Sequence, residues 1–149
     1  MTVPAPRRPT LLVDTNIVLD VVLERAPWVA DATALFDVVA RGQTPAFIAG
    51  HTVTTVHYIV ERERDRRTAT TAIGDLLTLF PVVPLDTADF QRALALRLRD
   101  YEDAVQAVAC LRIGADFLVT RNPKDFRGSP VTPRAPGEVL ALISSTDAG

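Results

Sequence analysis

Short apolar runs alternate along this chain with longer stretches in which apolar residues recur at helical spacing. Thr10 to Val13 is the first such run; it ends in Asp14-Thr15-Asn16, after which Ile17, Val18, Val21 and Val22 are spaced as one face of a helix. The spacing predicts a second helix over Val29 to Arg41, stopped at Gly42, and a second strand over Pro45 to Ala49. Helices are expected over Thr54 to Arg64 and Thr68 to Leu79, a third strand over Val82 to Leu85, and a helix over Thr87 to Arg99 capped by Asp86 or Thr87. Tyr101 to Ile113 carries an apolar stripe through Ala104, Val105, Val108 and Leu111 that breaks at Gly114, and Phe117 to Thr120 follows as a compact strand. Val131 and a helix over Pro136 to Ile143 complete the series.

Strands that alternate with helices require right-handed crossovers and a mostly parallel sheet covered on both faces. The expected fold is therefore α/β: a three-layer α/β/α sandwich with four or five strands. At 149 residues the chain fits one domain that buries roughly 70% of its unfolded surface, with a core over about residues 10 to 143. Flexible tails are expected at the Pro/Arg-rich start and at Ser144 to Gly149.

Composition narrows the chemistry. Cys110 is the only cysteine and lies in an apolar run, so intramolecular disulfides are excluded, a reducing cytoplasm is the natural setting, and the residue reads as a small buried hydrophobe. Met1 to Thr10 lacks the apolar stretch of a secretory signal, and no segment reaches roughly 18 uninterrupted apolar residues, so no membrane association is expected. A net charge of −2 argues against binding nucleic acid through broad electrostatics, while leaving room for a local basic strip beside an acidic site. Lys124 is the sole lysine, and two histidines, His51 and His57, are too few for a histidine-based zinc site.

In a parallel sheet of this kind a site forms at the carboxyl ends of the strands, near the point where strand order reverses. Three polar clusters fall there: Asp14-Thr15-Asn16, Asp100-Tyr101-Glu102-Asp103, and Thr120-Arg121-Asn122-Pro123-Lys124-Asp125-Phe126. Asp14, at the end of an apolar strand, fits two roles, helix cap and site carboxylate. Asp100, Glu102 and Asp103 all suit the positive end of a helix, yet three acids in four residues repel one another, and a divalent cation with oxygen ligands would relieve that repulsion.

Taken together and in this order, the three clusters resemble the PIN domain family, and within it the VapC-like toxin ribonucleases of toxin–antitoxin pairs. The resemblance runs from about Thr10 to Ile143. It implies Asp14 and Asp103 as ligands of Mg²⁺ or Mn²⁺, with Asp125 completing the site where relatives carry an acid at Asn122. Asn16 and Thr120 would orient ligands and water. It also implies hydrolysis of RNA by a metal-activated water attacking in line with the leaving 3′ oxygen, with Asp100 or Glu102 accepting the proton. Arg121, together with Arg62, Arg64, Arg66 and Arg67, is a candidate for phosphate contacts. Implied partners are an RNA substrate, an antitoxin protein and a second copy of the chain, the last two on apolar helices around Val29 to Val39 and Val53 to Val60.

One departure stands out. The family usually places a Glu on the helix after strand two, and the resemblance puts His57 there; Glu61, one turn later, is the candidate replacement, although it belongs to a charged run that reads as a solvated helix end. The alternative function is a PIN scaffold that binds RNA or protein without useful turnover. A haloacid-dehalogenase-like phosphatase is disfavoured because the residue two beyond Asp14 is Asn16, which cannot exchange a proton at neutral pH. A receiver-type phosphorylation module would need a phospho-accepting Asp after a middle strand, for which Asp86 is a poor candidate.

Overall fold

The computed structural model describes residues 8–148. Five parallel strands, β1 (Leu11–Val13), β2 (Ala46–Ala49), β3 (Val82–Val83), β4 (Phe117–Val119) and β5 (Pro133–Arg134), form one sheet in the order β3-β2-β1-β4-β5. Seven helices connect and flank them: α1 (Thr15–Val22), α2 (Val29–Ala40), α3 (Gly50–Glu63), α4 (Arg66–Leu79), α5 (Thr87–Leu96), α6 (Tyr101–Arg112) and α7 (Pro136–Ala148). The expected α/β sandwich is observed, and its sheet, expected to be mostly parallel, is parallel throughout.

Strand alternation divides the core. Leu11 and Val13 point to one face, with Ile48, Val119 and the apolar sides of α1 to α4 and α7; Leu12, Ala49 and Leu118 point to the other, under α5 and α6. Cys110 lies in this second layer, 2% exposed, and desolvation pushes its thiol up to about 12, so the small-hydrophobe reading holds.

Several boundaries differ from expectation, β3 ending at Val83 and α4 beginning at Arg66 among them, and four carry structural information. Helix α3 starts at Gly50, directly after β2, rather than at Thr54. A Cβ on Gly50 would stand 3.3 Å from the Val83 carbonyl oxygen, so glycine lets the helix begin hard against β3. Helix α5 ends at Leu96 instead of Arg99, because Arg97 adopts left-handed backbone (φ 53°) and turns the chain. The last strand lies at Pro133–Arg134, two residues beyond Val131; the β4 amides of Leu118 and Thr120 donate to the carbonyls of Thr132 and Arg134, so the missing N–H of Pro133 costs this edge nothing. Helix α7 continues to Ala148, which replaces the expected flexible tail over Ser144 to Ala148 with helix. The expected flexibility of Met1 to Arg7 falls outside the described residues.

Beneath the carboxyl ends of the strands a polar cluster joins three helices. The Thr15 and Thr52 hydroxyls are 2.9 Å apart, and the Gln106 amide donates to both, at 2.8 and 3.1 Å. Gln106 and Thr52 are fully buried and Thr15 is nearly so. Three polar side chains inside an apolar layer are tolerable mainly because they hydrogen-bond one another, although the Gln106 Oε1 is buried without a partner among the described residues. Gln106→Ala would open a cavity and strip both hydroxyls of a partner, and should lower unfolding free energy by about 3 kcal/mol. Urea denaturation checks this; a loss below about 1 kcal/mol would mean that the cluster does not fasten the helices.

Candidate active site

Asp14 sits where β1 meets α1, and β1 is flanked by β2 on one side and β4 on the other. Strand order reverses between β1 and β4, so their carboxyl ends diverge into a cleft. Backbone pairing fixes the register, with the Asp14 amide donating to the Val119 carbonyl at 3.0 Å. Thr120, next along β4, consequently stands beside the Asp14 carboxylate and donates to its Oδ2 at 3.1 Å. The Asn122 amide donates in turn to the Thr120 hydroxyl at 3.3 Å, which ties the following 3₁₀ turn, Pro123–Phe126, to the same point.

The two roles weighed for the acids separate in the structure. Asp14 occupies the cap position of α1, but its side chain makes no capping hydrogen bond. Asp100 does cap: its Oδ1 accepts from the Asp103 amide at 3.1 Å and sets the start of α6. That start points Asp103 from the first turn of α6 toward Asp14, and Gln106, one turn further on, is held in the buried cluster below.

A cavity of about 210 Å³ results, and it brings together Asp14, Asn16, Asp100, Glu102, Asp103, Thr120, Asn122 and Asp125. Its electrostatics are unbalanced. Asp14 is only 5% exposed, and burial, then repulsion from Asp103, raise its pKa to about 7 against the pull of the Thr120 hydroxyl. Asp103 is raised to about 6 by desolvation and then by Asp100, Asp125 and Glu102. The N-termini of α1, α3 and α6 all open toward this end of the sheet and partly offset the negative charge.

Arg121 and Glu61, both candidates from the sequence, do not line this cavity. Arg121 donates to Asp20 at 3.0 Å and lies over the Trp28 ring, 4.0 Å from its centroid, on the α1–α2 side. Asp20 is fully buried, and its desolvation outweighs the pull of Arg121 and Arg25 on its pKa. Glu61 pairs with His57 one turn back, Nδ1 to Oε2 at 3.6 Å, on a different face of α3. The α3 residues that do reach the cavity are Thr55 and Ile59, so the position a carboxylate would have to occupy on this helix belongs to Thr55, not to His57. With Thr52, Val56 and Val60 as the buried face, a helical wheel puts Thr55 and Ile59 at its edge. Thr55 and His57 both lie within the helix expected over Thr54 to Arg64, so the rotation of the helix, not its start, separates them.

His51, given no site role from the sequence, has both ring nitrogens buried without a hydrogen-bond partner, and burial lowers its pKa. Its Nε2 is 3.9 Å from Glu102 Oε1, a contact with a neutral ring rather than a salt bridge.

The lining offers carboxylate, hydroxyl and amide oxygens and neither thiolate nor imidazole, a donor set suited to a hard cation such as Mg²⁺ or Mn²⁺. Repulsion between Asp14 and Asp103 is what such an ion would relieve. Among the described residues no three acidic, imidazole or thiolate groups converge closely enough to hold an ion by themselves. Mg²⁺ commonly sits on one or two carboxylates, with water and substrate phosphate completing its shell, and the pair present meets that requirement.

A parallel sheet with an acidic cleft at its switch point defines a class of α/β protein, and the comparisons specify it. The family model described as PIN domain matches residues 10–124, most of the chain, and this protein belongs to that family. VapBC2 from Rickettsia felis, bound to a promoter DNA fragment, superposes with a TM-score of 0.68 at 15% identity, over 85% of this chain and 98% of that one. DNA-bound VapBC from Salmonella typhimurium gives 0.68 at 14% identity, over 86% and 98%. FitAcB from Neisseria gonorrhoeae gives 0.61 at 13% identity, over 85% and 98%. No curated protein matches by sequence. No helix among the described residues is long and apolar enough to cross a membrane.

The raised carboxylates link stability to pH. Folded Asp14 keeps its proton to about pH 7, whereas in the unfolded chain it is lost near 3.8, so the native state holds the extra proton between those values. Without metal, stability therefore falls as pH rises from about 4 to about 7. Asp14→Asn removes that penalty and should stabilise the metal-free protein at pH 8 by a few kcal/mol, roughly, with the gain shrinking toward pH 4. Thermal midpoints of both proteins across this range test it; a gain independent of pH would remove Asp14 ionisation as the cause.

Proposed function

We propose that this chain is a divalent-metal-dependent endoribonuclease, the VapC-like toxin of a two-protein toxin–antitoxin pair acting in the cytoplasm as a homodimer. The observation that carries the reading is the buried Asp14 beside Asp103 in an all-oxygen cleft at the switch point of a PIN fold. Two ionisable carboxylates are kept together in low-dielectric surroundings, at a cost to the metal-free fold, where a cation would make them favourable. The fold shared with VapBC and FitAcB structures supports an antitoxin partner, one segment of which would cover the cleft.

Asp14 and Asp103 would hold Mg²⁺ or Mn²⁺, which when bound supplies Lewis acidity and an acidified water. The chain's own groups do the rest. Thr120 fixes the rotamer of Asp14 through its hydrogen bond, and Asn122 fixes Thr120. Asn16 and Asn122 present amides to a phosphate or its attacking water. Asp100 has one oxygen committed to the Asp103 amide, so Glu102, at the cavity edge beside neutral His51, is the better placed acceptor for the water's proton. Asp125, on the 3₁₀ turn, faces Asp103 closely enough to raise its pKa and stands where a third carboxylate would assist.

A second reading has its own observation: α3 offers Thr55, not an acid, to the cleft. A scaffold with weakened metal affinity would bind RNA without cutting it.

Purified, antitoxin-free protein should cleave RNA with Mg²⁺ or Mn²⁺ and not with EDTA, and Asp14→Asn or Asp103→Asn should each reduce the rate by about a hundredfold or more. Thr55→Glu adds a carboxylate and should tighten Mg²⁺ binding on the order of tenfold by calorimetry. RNA retention without cleavage under any metal, restored to cleavage by Thr55→Glu, would establish the binding module as the natural state.

A further inference from the structure

A second, wider cleft of about 770 Å³ adjoins the acidic cavity, and Asp100, Asp103 and Asp125 line both. Its other walls carry four cations, Arg97, Arg99, Lys124 and Arg127. They come from three places: the end of α5, the connector to α6, and the 3₁₀ turn with its exit. All four are exposed, and none of their charged groups has an ion-pair or hydrogen-bond partner among the described residues, although three carboxylates line the same cleft. Charges that served only the fold would pair with those acids; these are left open to an external anion.

Arg97 adds an independent sign. Its φ of 53° is the left-handed region where glycine closes a helix without strain, and an L side chain there is disfavoured. An arginine in that position puts a long cation at the cleft mouth at the expense of backbone comfort.

We propose that Arg97, Arg99, Lys124 and Arg127 form a track for the phosphodiester backbone of single-stranded RNA, leading one phosphate to the Asp14–Asp103 pair. The track rests on the nuclease reading and specifies how substrate reaches it. It assigns phosphate contacts to the α5–α6 connector and the 3₁₀ turn rather than to Arg121, which is committed to Asp20, or to the arginines around the α3–α4 junction. A flexible single strand can bend a phosphate into a cavity of about 210 Å³; a duplex, stiff over many base pairs, resists that bend. The acids on the shared wall also keep the strand from settling across the carboxylates unless a cation neutralises them.

Fluorescence anisotropy of the full chain with a short labelled RNA strand, in EDTA so that cleavage does not intrude, tests the track over a range of salt. Each backbone contact contributes about 0.7 to the slope of log affinity against log salt, so neutralising all four cations should flatten it by nearly 3. Neutralising Arg62, Arg64, Arg66 and Arg67 should leave the slope unchanged. Arg97→Gly should weaken binding about tenfold while leaving the thermal midpoint unchanged or higher, an outcome a purely structural arginine would not give. A DNA strand of the same sequence separates sources: loss of slope with RNA and DNA alike supports a backbone track, while a slope set by the α3–α4 arginines, or untouched by the four cleft residues, overturns it. Cleavage that persists with an unaltered slope removes the track alone; a flattened slope with no cleavage in any metal removes the nuclease reading and leaves the track.

Discussion

Everything at the candidate site depends on the hydrogen-bonded cluster of Thr15, Thr52 and Gln106. These side chains come from helices that follow different strands, and each is a polar intruder in an apolar layer. Since none can be satisfied alone, the three helices must approach with their first turns level. Thr15 is the neighbour of Asp14, and Gln106 is one helical turn from Asp103, so the packing that forms the cluster also brings the two carboxylates to one cavity. Asp14 is further constrained from the sheet, where parallel pairing of β1 with β4 brings Thr120 to its carboxylate.

The electrostatics follow from that enforced proximity. Desolvation and mutual repulsion leave the pair reluctant to ionise, and the nearest arginine on the β4 side is drawn off by Asp20 and Trp28. An arginine folded into the cleft would have neutralised the acids internally and removed any attraction for a metal ion. Cations instead appear one step outward, in the neighbouring cleft, where they do not cancel Asp14 but do surround the approach to it. Acid at the centre and base at the rim suit a polyanion whose reacting phosphate must meet a metal. On the proposed nuclease reading, the same division would let a chain of net charge −2 engage nucleic acid.

Local chemistry made most of the architecture legible in advance. Alternating periods gave the order of strands and helices, Asp86 capped the helix it precedes, and the three polar clusters met at the carboxyl ends of the strands. Each of these depends on residues a few positions apart. Elements governed by a distant backbone were misread: the start of α3 rests on Gly50 against Val83, and β5 on which carbonyls the β4 amides select.

The sequence by itself determined the fold class, the resemblance to PIN domains, and which acids were candidates, because strand and helix periods, caps and short motifs are encoded within a few residues. Only the tertiary structure decided which face of α3 looks into the cleft, exchanging His57 for Thr55. It also turned Arg121 away to a buried partner on α1 and gathered Arg97, Arg99, Lys124 and Arg127 around a common cleft. Those outcomes depend on helix rotation and on pairings across as many as a hundred residues, which are settled when the whole core packs at once.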